Sequence, residues 1–430
     1  MIKKIIISVS LLLVLIFTGC SDNNGNFEVV EVNQENIAFN EQDVSNKNVD
    51  SLNDYSFQMA KELSSNYVGS NFVVSPLSLW MPLAALSNAT TETAVENHLS
   101  SLRFESRSID EINLFAAQLL YELNNEECKE ISEENGVEFI DSLYIANALF
   151  LNNEYEAKQD FVDSFYNYYK GTTMLVDFSS NDAKNRVNEW VYNRTEGNIK
   201  NIVDDFDPYT VAALANTIFF KGTWEKEFYE EANQMRLFYN DNSNMETEFM
   251  VMDGESNHFV QSYFEDDSIQ AVDFPYTNDA GMIIILPKIK KAIDVFSELN
   301  VKYFNKINNE SKMLSGKTYL PKFKIESDTM NLMKVMESMQ EPLISGYIDG
   351  LDYSQNDLYI SDAYQKAMIE VNEEGTTAAA ATIVEVMETA IEPSGGDTFV
   401  MDCNKPFIFI LYGDINNYKQ ILFTGIVMNP

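Results

Sequence analysis

The chain has 430 residues, of which 45% are hydrophobic and 12% aromatic. That is enough to bury one large core or two to three ordinary ones, and it excludes a disordered chain. Lys plus Arg number 29 against 67 Asp plus Glu, a formal net charge of -38, so nucleic acid is repelled and excluded as a partner.

The acid excess reads as a highly soluble surface, because no run of acids is long enough to make a docking patch. The first twenty residues, MIKKIIISVSLLLVLIFTGC, carry two Lys, an apolar run and small residues before Cys20. This is a secretory signal, too short and wrongly flanked for a permanent span. Its FTGC ending resembles a bacterial lipoprotein box, which implies lipidation at Cys20 and a membrane contact through that lipid alone. An extracytoplasmic location, lipid-anchored to a bacterial membrane, follows. Residues 21–50 are polar and acidic without sustained periodicity and read as a flexible tether. Cys128 and Cys403 are isolated and read as free, partly buried thiols rather than a disulfide.

Beyond the tether, Leu52, Phe57, Met59 and Leu63 have helical spacing, and NFVVS follows as a short strand. A helix is predicted to open at Ser75-Pro76, with Pro82 an uncomfortable residue inside it. DSLYIANALFL and TVAALANTIFF read as buried strands, and NDAKNRVNEWVYNRTEG as an amphipathic helix closed by Gly197. AVDFPY and MIIILP are strands. The last residues read as a hairpin of two apolar strands around the polar turn Asp414 to Lys419. With no repeat and no domain-length linker, residues 51–430 read as one α+β domain.

Enzyme chemistry fails on inventory. The only two His, His98 and His258, have neither metal-ligand nor nucleophile–base spacing and read as surface or structural residues. No CxxC, GxSxG, GxGxxG or Walker loop is present, and nothing selects one carboxylate pair among so many. No enzyme, cofactor or metal is expected.

EEGTTAAAAT, Glu373 to Thr382, carries signals for two structures. Four alanines prefer helix, yet they follow Gly375 and lead into the strand-forming IVEVM. Thr376, Ala378, Ala380, Thr382, Val384 and Val386 alternate as small or β-branched residues, so one face could slide between two strands without overpacking. The segment suits an exposed loop, an inserted strand or an Ala-rich helix.

NFVVSPLSL, NEWVYNRTEGNIKNIV, LANTIFFKGTWEKEF, DFPY with MIIILPK, YLPKFKIES, LDYS, SDAYQKAMIEVNEEGTTAAAAT and the C-terminal hairpin occur in order along residues 50–430. This series resembles the serpins. The resemblance implies three β-sheets, the largest a five-stranded sheet A, with eight to nine helices and an exposed reactive-centre loop from about Glu373 to Asp402. It further implies an irreversible suicide-substrate inhibitor, whose cleaved loop inserts into sheet A and drags the acylated protease to the opposite pole. The hinge would be Glu373, Glu374, Gly375, Thr376, Thr377, Ala378, Ala379, Ala380, Ala381 and Thr382. Counting sixteen residues on from Glu373, the family's usual spacing, implies a reactive bond at Thr389-Ala390, with cleavage at Met387 or one or two residues to either side of Thr389 as the alternative in so long a loop. Small residues there imply an elastase-like or subtilisin-like serine protease as partner, with a cysteine protease as the alternative class. The protein is expected to be a monomer.

Two departures stand out. The sheet-opening residues Ser75, Ser78 and Asn216 match the family, but Gln365 stands where a His is usual. NATTET at 88–93 lacks both glycines of the family's turn and implies a locally different one. The competing reading is a non-inhibitory serpin-fold surface binding protein.

Overall fold

The computed structural model describes residues 28–37, 46–90, 95–104, 108–123, 125–132, 136–180, 182–207, 209–240, 244–257, 259–327, 330–331, 364–376 and 397–430. Cys20, His258 and residues 377–396, with most of the predicted hinge and the Thr389-Ala390 bond, lie outside them.

The described chain starts with β1 (Glu28–Val29) and α1 (Asn46–Ser64), whose Leu52, Phe57, Met59 and Leu63 are buried as their spacing predicts. β2 (Phe72–Val74) leads into α2 (Pro76–Leu86). Ser75 is extended and its hydroxyl accepts from the Ser78 N–H, while Pro76 takes the first helical position. All 11 residues of α2 are buried, Pro82 among them. The helix carries this uncomfortable residue because packing on every side offsets the one hydrogen bond that proline removes.

α3 (Val95–Ser101) and α4 (Ile109–Leu123) precede the hairpin β3 (Asn125–Ser132) and β4 (Gly136–Asn152). Next come α5 (Gln159–Tyr169), β5 (Gly171–Val176), α6 (Asp182–Arg194) and β6 (Ala212–Thr223). Past α6, Gly197 adopts φ +80 and its N–H returns to the Tyr192 carbonyl at 2.8 Å, a left-handed closure suited to glycine.

The middle of the chain forms β7 (Gln234–Tyr239), β8 (Asn244–Asp253), α7 (Gly254–Asn257), β9 (Gln261–Glu265), β10 (Ile269–Pro275) and β11 (Ala280–Pro287). α8 (Ala292–Glu298), α9 (Val301–Glu310), β12 (Lys312–Pro321), β13 (Phe323–Glu326) and β14 (Met330–Asn331) follow. The last part holds β15 (Tyr364–Gln365), β16 (Met368–Val371), β17 (Gly375–Thr376), β18 (Thr398–Asp402), β19 (Phe407–Ile415) and β20 (Tyr418–Val427). The expected terminal turn tightens to Asn416 and Asn417, both at positive φ, the residue type that a two-residue hairpin tolerates there.

One sheet has the order β1-β5-β4-β6-β17-β16-β13, with β3 attached to β4. Five of these strands, β5, β4, β6, β16 and β13, are the expected sheet A; β1, β17 and β3 extend it. The short pair β14-β15 continues β13 and β16 along the chain. The other two expected sheets are continuous with each other, because the first residues of β12 pair with β9 and the later ones with β8. α6 lies on sheet A over a separate apolar cluster, where Trp190 meets Phe150 edge to face at 6.1 Å and Ala146, Ala148, Ala213 and Ala215 keep the sheet surface low.

The expected free tether is corrected for residues 28–35. β1 pairs with the outer edge of β5, and Asn33 donates from its backbone and side chain to the two Asp163 carboxylate oxygens on α5 at 2.9 and 2.8 Å. The sequence shows no periodicity here because the segment binds through backbone groups and amides rather than an apolar face. Cys403 is free and buried, and burial pushes its thiol pKa well up; the Cys128 side chain lies outside the described residues. His98 is buried on α3, its Nε2 2.8 Å from the Leu83 carbonyl.

Candidate functional site

The hinge begins inside sheet A. Gly375 pairs with Thr223 and Thr376 with Gly222 of β6, while Thr376 also pairs with Val371 of β16. β17 is therefore a two-residue wedge that joins β6 to β16 in the sheet order, along the seam between them. A Cβ on Gly375 would stand 1.9 Å from the Gly222 carbonyl oxygen, so only glycine fits this approach. Thr376 is 2% exposed and shares a hydrogen bond with the Tyr276 hydroxyl.

Aromatic rings floor the wedge. Trp224 stacks on Tyr276 at 4.2 Å and 15°, and its indole N–H donates to the Asn372 carbonyl at 2.9 Å. The backbone N–H groups of Trp224 and Phe228 donate to the carbonyls of Glu374 and Glu373. Asn372 shapes the turn from β16 to β17: its side-chain oxygen accepts from Glu374 and Gly375, and its N–H donates to the Gly375 carbonyl.

Glu373 is held by charge. Its carboxylate accepts from Lys322 at 2.7 Å and from Asn233, and Lys322 also reaches Glu248 at 2.7 Å. Burial works against ionising Glu373, but the bonds from Lys322 and Asn233 prevail and hold its pKa below the ordinary value. Glu227, by contrast, is raised by burial and by the nearby Glu374. A depressed carboxyl pKa stabilises the fold above the unfolded-state value and loses that contribution as pH falls through the folded value. Glu373→Gln is expected to cost about 1–2 kcal/mol near neutral pH, read as a lower melting temperature. The difference from the parent should vanish below the depressed pKa.

Gln365, Ser75, Ser78 and Asn216 meet under the seam. Gln365 donates to the Ser75 carbonyl at 2.7 Å, and the Ser75 hydroxyl donates to the Leu422 carbonyl at 2.7 Å. Ser78 donates to the Asn216 side-chain oxygen, and the Asn216 amide donates to Asn147 at 2.7 Å. The start of α2 thereby bridges β15 and β6. The network runs on through residues whose place in it the sequence did not show: Asn147 donates to the Tyr169 carbonyl at 2.7 Å, the Tyr169 hydroxyl to Asn113 at 2.8 Å, and Asn113 to Asn88 at 2.8 Å. Asn88, the first residue of NATTET, also donates to the Ala85 carbonyl at 3.1 Å; residues 91–93, and with them the expected different turn, lie outside the described residues. Among the described residues, the buried side-chain oxygen of Gln365 has no partner.

All four expected sheet-opening residues thus come together, and Glu373, Glu374, Gly375 and Thr376 sit at one end of the same seam. Trp224 and Tyr276 belong to FKGTW and DFPY, so their positions were visible in the motifs while their contacts were not. Among the described residues no group of His, Cys, Asp or Glu is arranged to hold a metal.

Comparison with known proteins places this geometry. The family model described as Serpin (serine protease inhibitor) matches residues 50–430. An uncharacterized serpin-like protein of Thermococcus kodakarensis is 31% identical over 392 residues, covering 89% of this chain and 85% of its own. Human antithrombin-III is 28% identical over 383 residues, covering 84% and 76%. The native structure of the thermophilic serpin tengpin superposes with a TM-score of 0.76 at 23% identity, over 93% of this chain and 98% of its own. This chain belongs to the serpin family.

Proposed function

We propose that the protein is an irreversible suicide-substrate inhibitor of an extracytoplasmic serine endopeptidase, acting as a monomer held to a bacterial membrane by lipid at Cys20. The observation that supports the inhibitory reading is the wedge at β17, which places the first two loop residues, Gly375 and Thr376, between β6 and β16. Continuing both observed registers residue by residue sets Thr382 between Asn216 and Gln365, Val386 opposite Ala212 at the start of β6, and Thr389 opposite Tyr209. A strand so extended covers the full length of β6. The inward positions it brings are the small and β-branched ones, and Thr382 delivers a hydroxyl to the one place where Gln365 has an oxygen to spare.

In the mechanism this supports, the protease serine attacks the carbonyl of Thr389 and the amine of Ala390 leaves, giving an acyl-enzyme. Insertion of about fourteen residues then carries the ester on the order of 45 Å. Each inserted residue adds backbone hydrogen bonds worth about 1 kcal/mol net, so the uncleaved fold is metastable and insertion competes with deacylation.

Incubation with elastase-like and subtilisin-like proteases should give a complex that survives denaturing electrophoresis and a released fragment beginning at Ala390. Cleaved protein should melt well above the uncleaved form. Proteases that only trim the loop, with no rise in melting temperature, would leave the surface binding protein as the better reading.

A further inference from the structure

The direction of the N-terminal segment is fixed by two sets of contacts. Along the sheet, Glu28 lies beside Leu175 and Val29 beside Met174, and the Val30 N–H donates to the Thr173 carbonyl at 3.0 Å. Along α5, Gln159 meets the Glu31 carbonyl, Asp163 meets Asn33, Tyr166 meets Gln34, and Asn167 meets both Asn33 and Glu35. The segment therefore climbs β5 and α5 together, with Glu28 at the lower end. Leu175 is paired with Leu151, and Leu151 with Ala212, the first residue of β6. The hinge pairs with Gly222 and Thr223, the last residues of β6. Glu28 thus enters the body about 36 Å along the sheet from the hinge, taking roughly 3.3 Å for each residue of β6 between them.

We infer that a lipid surface attached through Cys20 faces the pole of sheet A opposite the loop hinge, and that the docked strap of residues 28–35 sets this orientation. The inference rests on the lipid-anchor reading. Eight Cα steps from Cys20 to Glu28 span at most about 29 Å, whereas 26 steps to Asn46 would span up to about 94 Å. Docking of the strap converts a long leash into a short one that starts at a defined pole. The reactive loop is then presented away from the membrane, to proteases arriving from outside.

The test uses the chain beginning at Cys20, its proposed mature form, in a Cys128→Ser background, with Cys20 coupled chemically to a maleimide lipid in phosphatidylcholine vesicles. A dye is attached through azidophenylalanine in place of Tyr209, 91% exposed at the Glu28 pole, or of Tyr229, 60% exposed beside the hinge. Energy transfer to an acceptor lipid should be on the order of twofold greater from position 209, given the length of sheet between the two sites. The difference should be lost in the exposed-surface double variant Asn33→Ala, Asp163→Ala, and in a chain with about thirty Gly and Ser residues inserted after Gly25. Equal transfer from both positions, or a difference that neither change diminishes, overturns the inference. Because the lipid is attached chemically, the anchor reading fails separately, by the absence of radiolabelled palmitate on Cys20 in cells.

Discussion

Thr376→Arg should abolish protease trapping while leaving loop cleavage intact. Thr376 is buried between β6 and β16 before any cleavage occurs, with its hydroxyl on Tyr276. An arginine there would place a charge where Thr376 is 2% exposed and its hydroxyl is bonded to Tyr276, costing about 3–5 kcal/mol if it stays unpaired. The strand escapes that cost by leaving the sheet, so the uncleaved protein loses the β17 wedge and remains folded. After acylation, however, insertion must bury the guanidinium or stall. If about 3 kcal/mol of this appears in the barrier, insertion slows by roughly a hundredfold, and deacylation wins. Electrophoresis should show complete cleavage with no stable complex, and a Thr376→Ser control should still trap. Trapping at the parent's yield by the arginine variant would refute insertion through this seam.

The structure changes what this substitution tests. From sequence, Thr376 belongs to the face that would slide between two strands; in the fold it is already there before cleavage. The residue types of EEGTTAAAAT report tolerance for a buried strand, but not how many residues occupy it in the uncleaved state. That depends on the Asn372 turn and on Trp224, which fix where β16 reverses.

Legibility elsewhere follows a similar division. Helices and strands with strong apolar periodicity, such as α1, β6 and β19–β20, are visible in the sequence because each carries its own buried face. Ser75, Ser78, Asn216 and Gln365 were legible through motif position. The extension of their network to Asn147, Tyr169, Asn113 and Asn88 was not, since three Asn and a Tyr scattered over more than eighty residues leave no pattern until the chain folds. β1 escaped for the opposite reason. A two-residue edge strand made of backbone hydrogen bonds has no compositional signature, and an acidic, Asn-rich segment resembles a linker whether or not it docks.

The strap and the seam have a joint consequence under the proposed mechanism. The extended register carries Thr389 to the level of Tyr209, at the pole where Glu28 enters. A trapped protease would therefore travel from the side facing away from the membrane toward the side facing it. Less than about 30 Å of chain separates Cys20 from the body there. Trapping by the lipid-tethered protein should thus be slower than by the same protein free in solution, and a longer leash before Glu28 should restore the rate. Rapid mixing with a protease, with and without vesicles, measures the difference.

Asn216→Ala should destabilise the uncleaved protein far more than the cleaved one. In the uncleaved fold the Asn216 side chain accepts from Ser78 and donates to Asn147, in a site 7% exposed. Alanine leaves the Ser78 hydroxyl and the Asn147 oxygen buried without these partners, at about 1–3 kcal/mol each. The bridge from α2 to β6 goes with them, so the staple across the seam hangs from β15 alone through Gln365 and Ser75. After insertion the register brings Thr382 between positions 216 and 365, where its hydroxyl can supply part of what the amide supplied. The cleaved form should therefore recover a share of the loss. Scanning calorimetry before and after cleavage should show the uncleaved melting temperature falling by several degrees and the gap to the cleaved form widening. An equal fall in both forms would mean that Asn216 serves the core in general and not the closed seam.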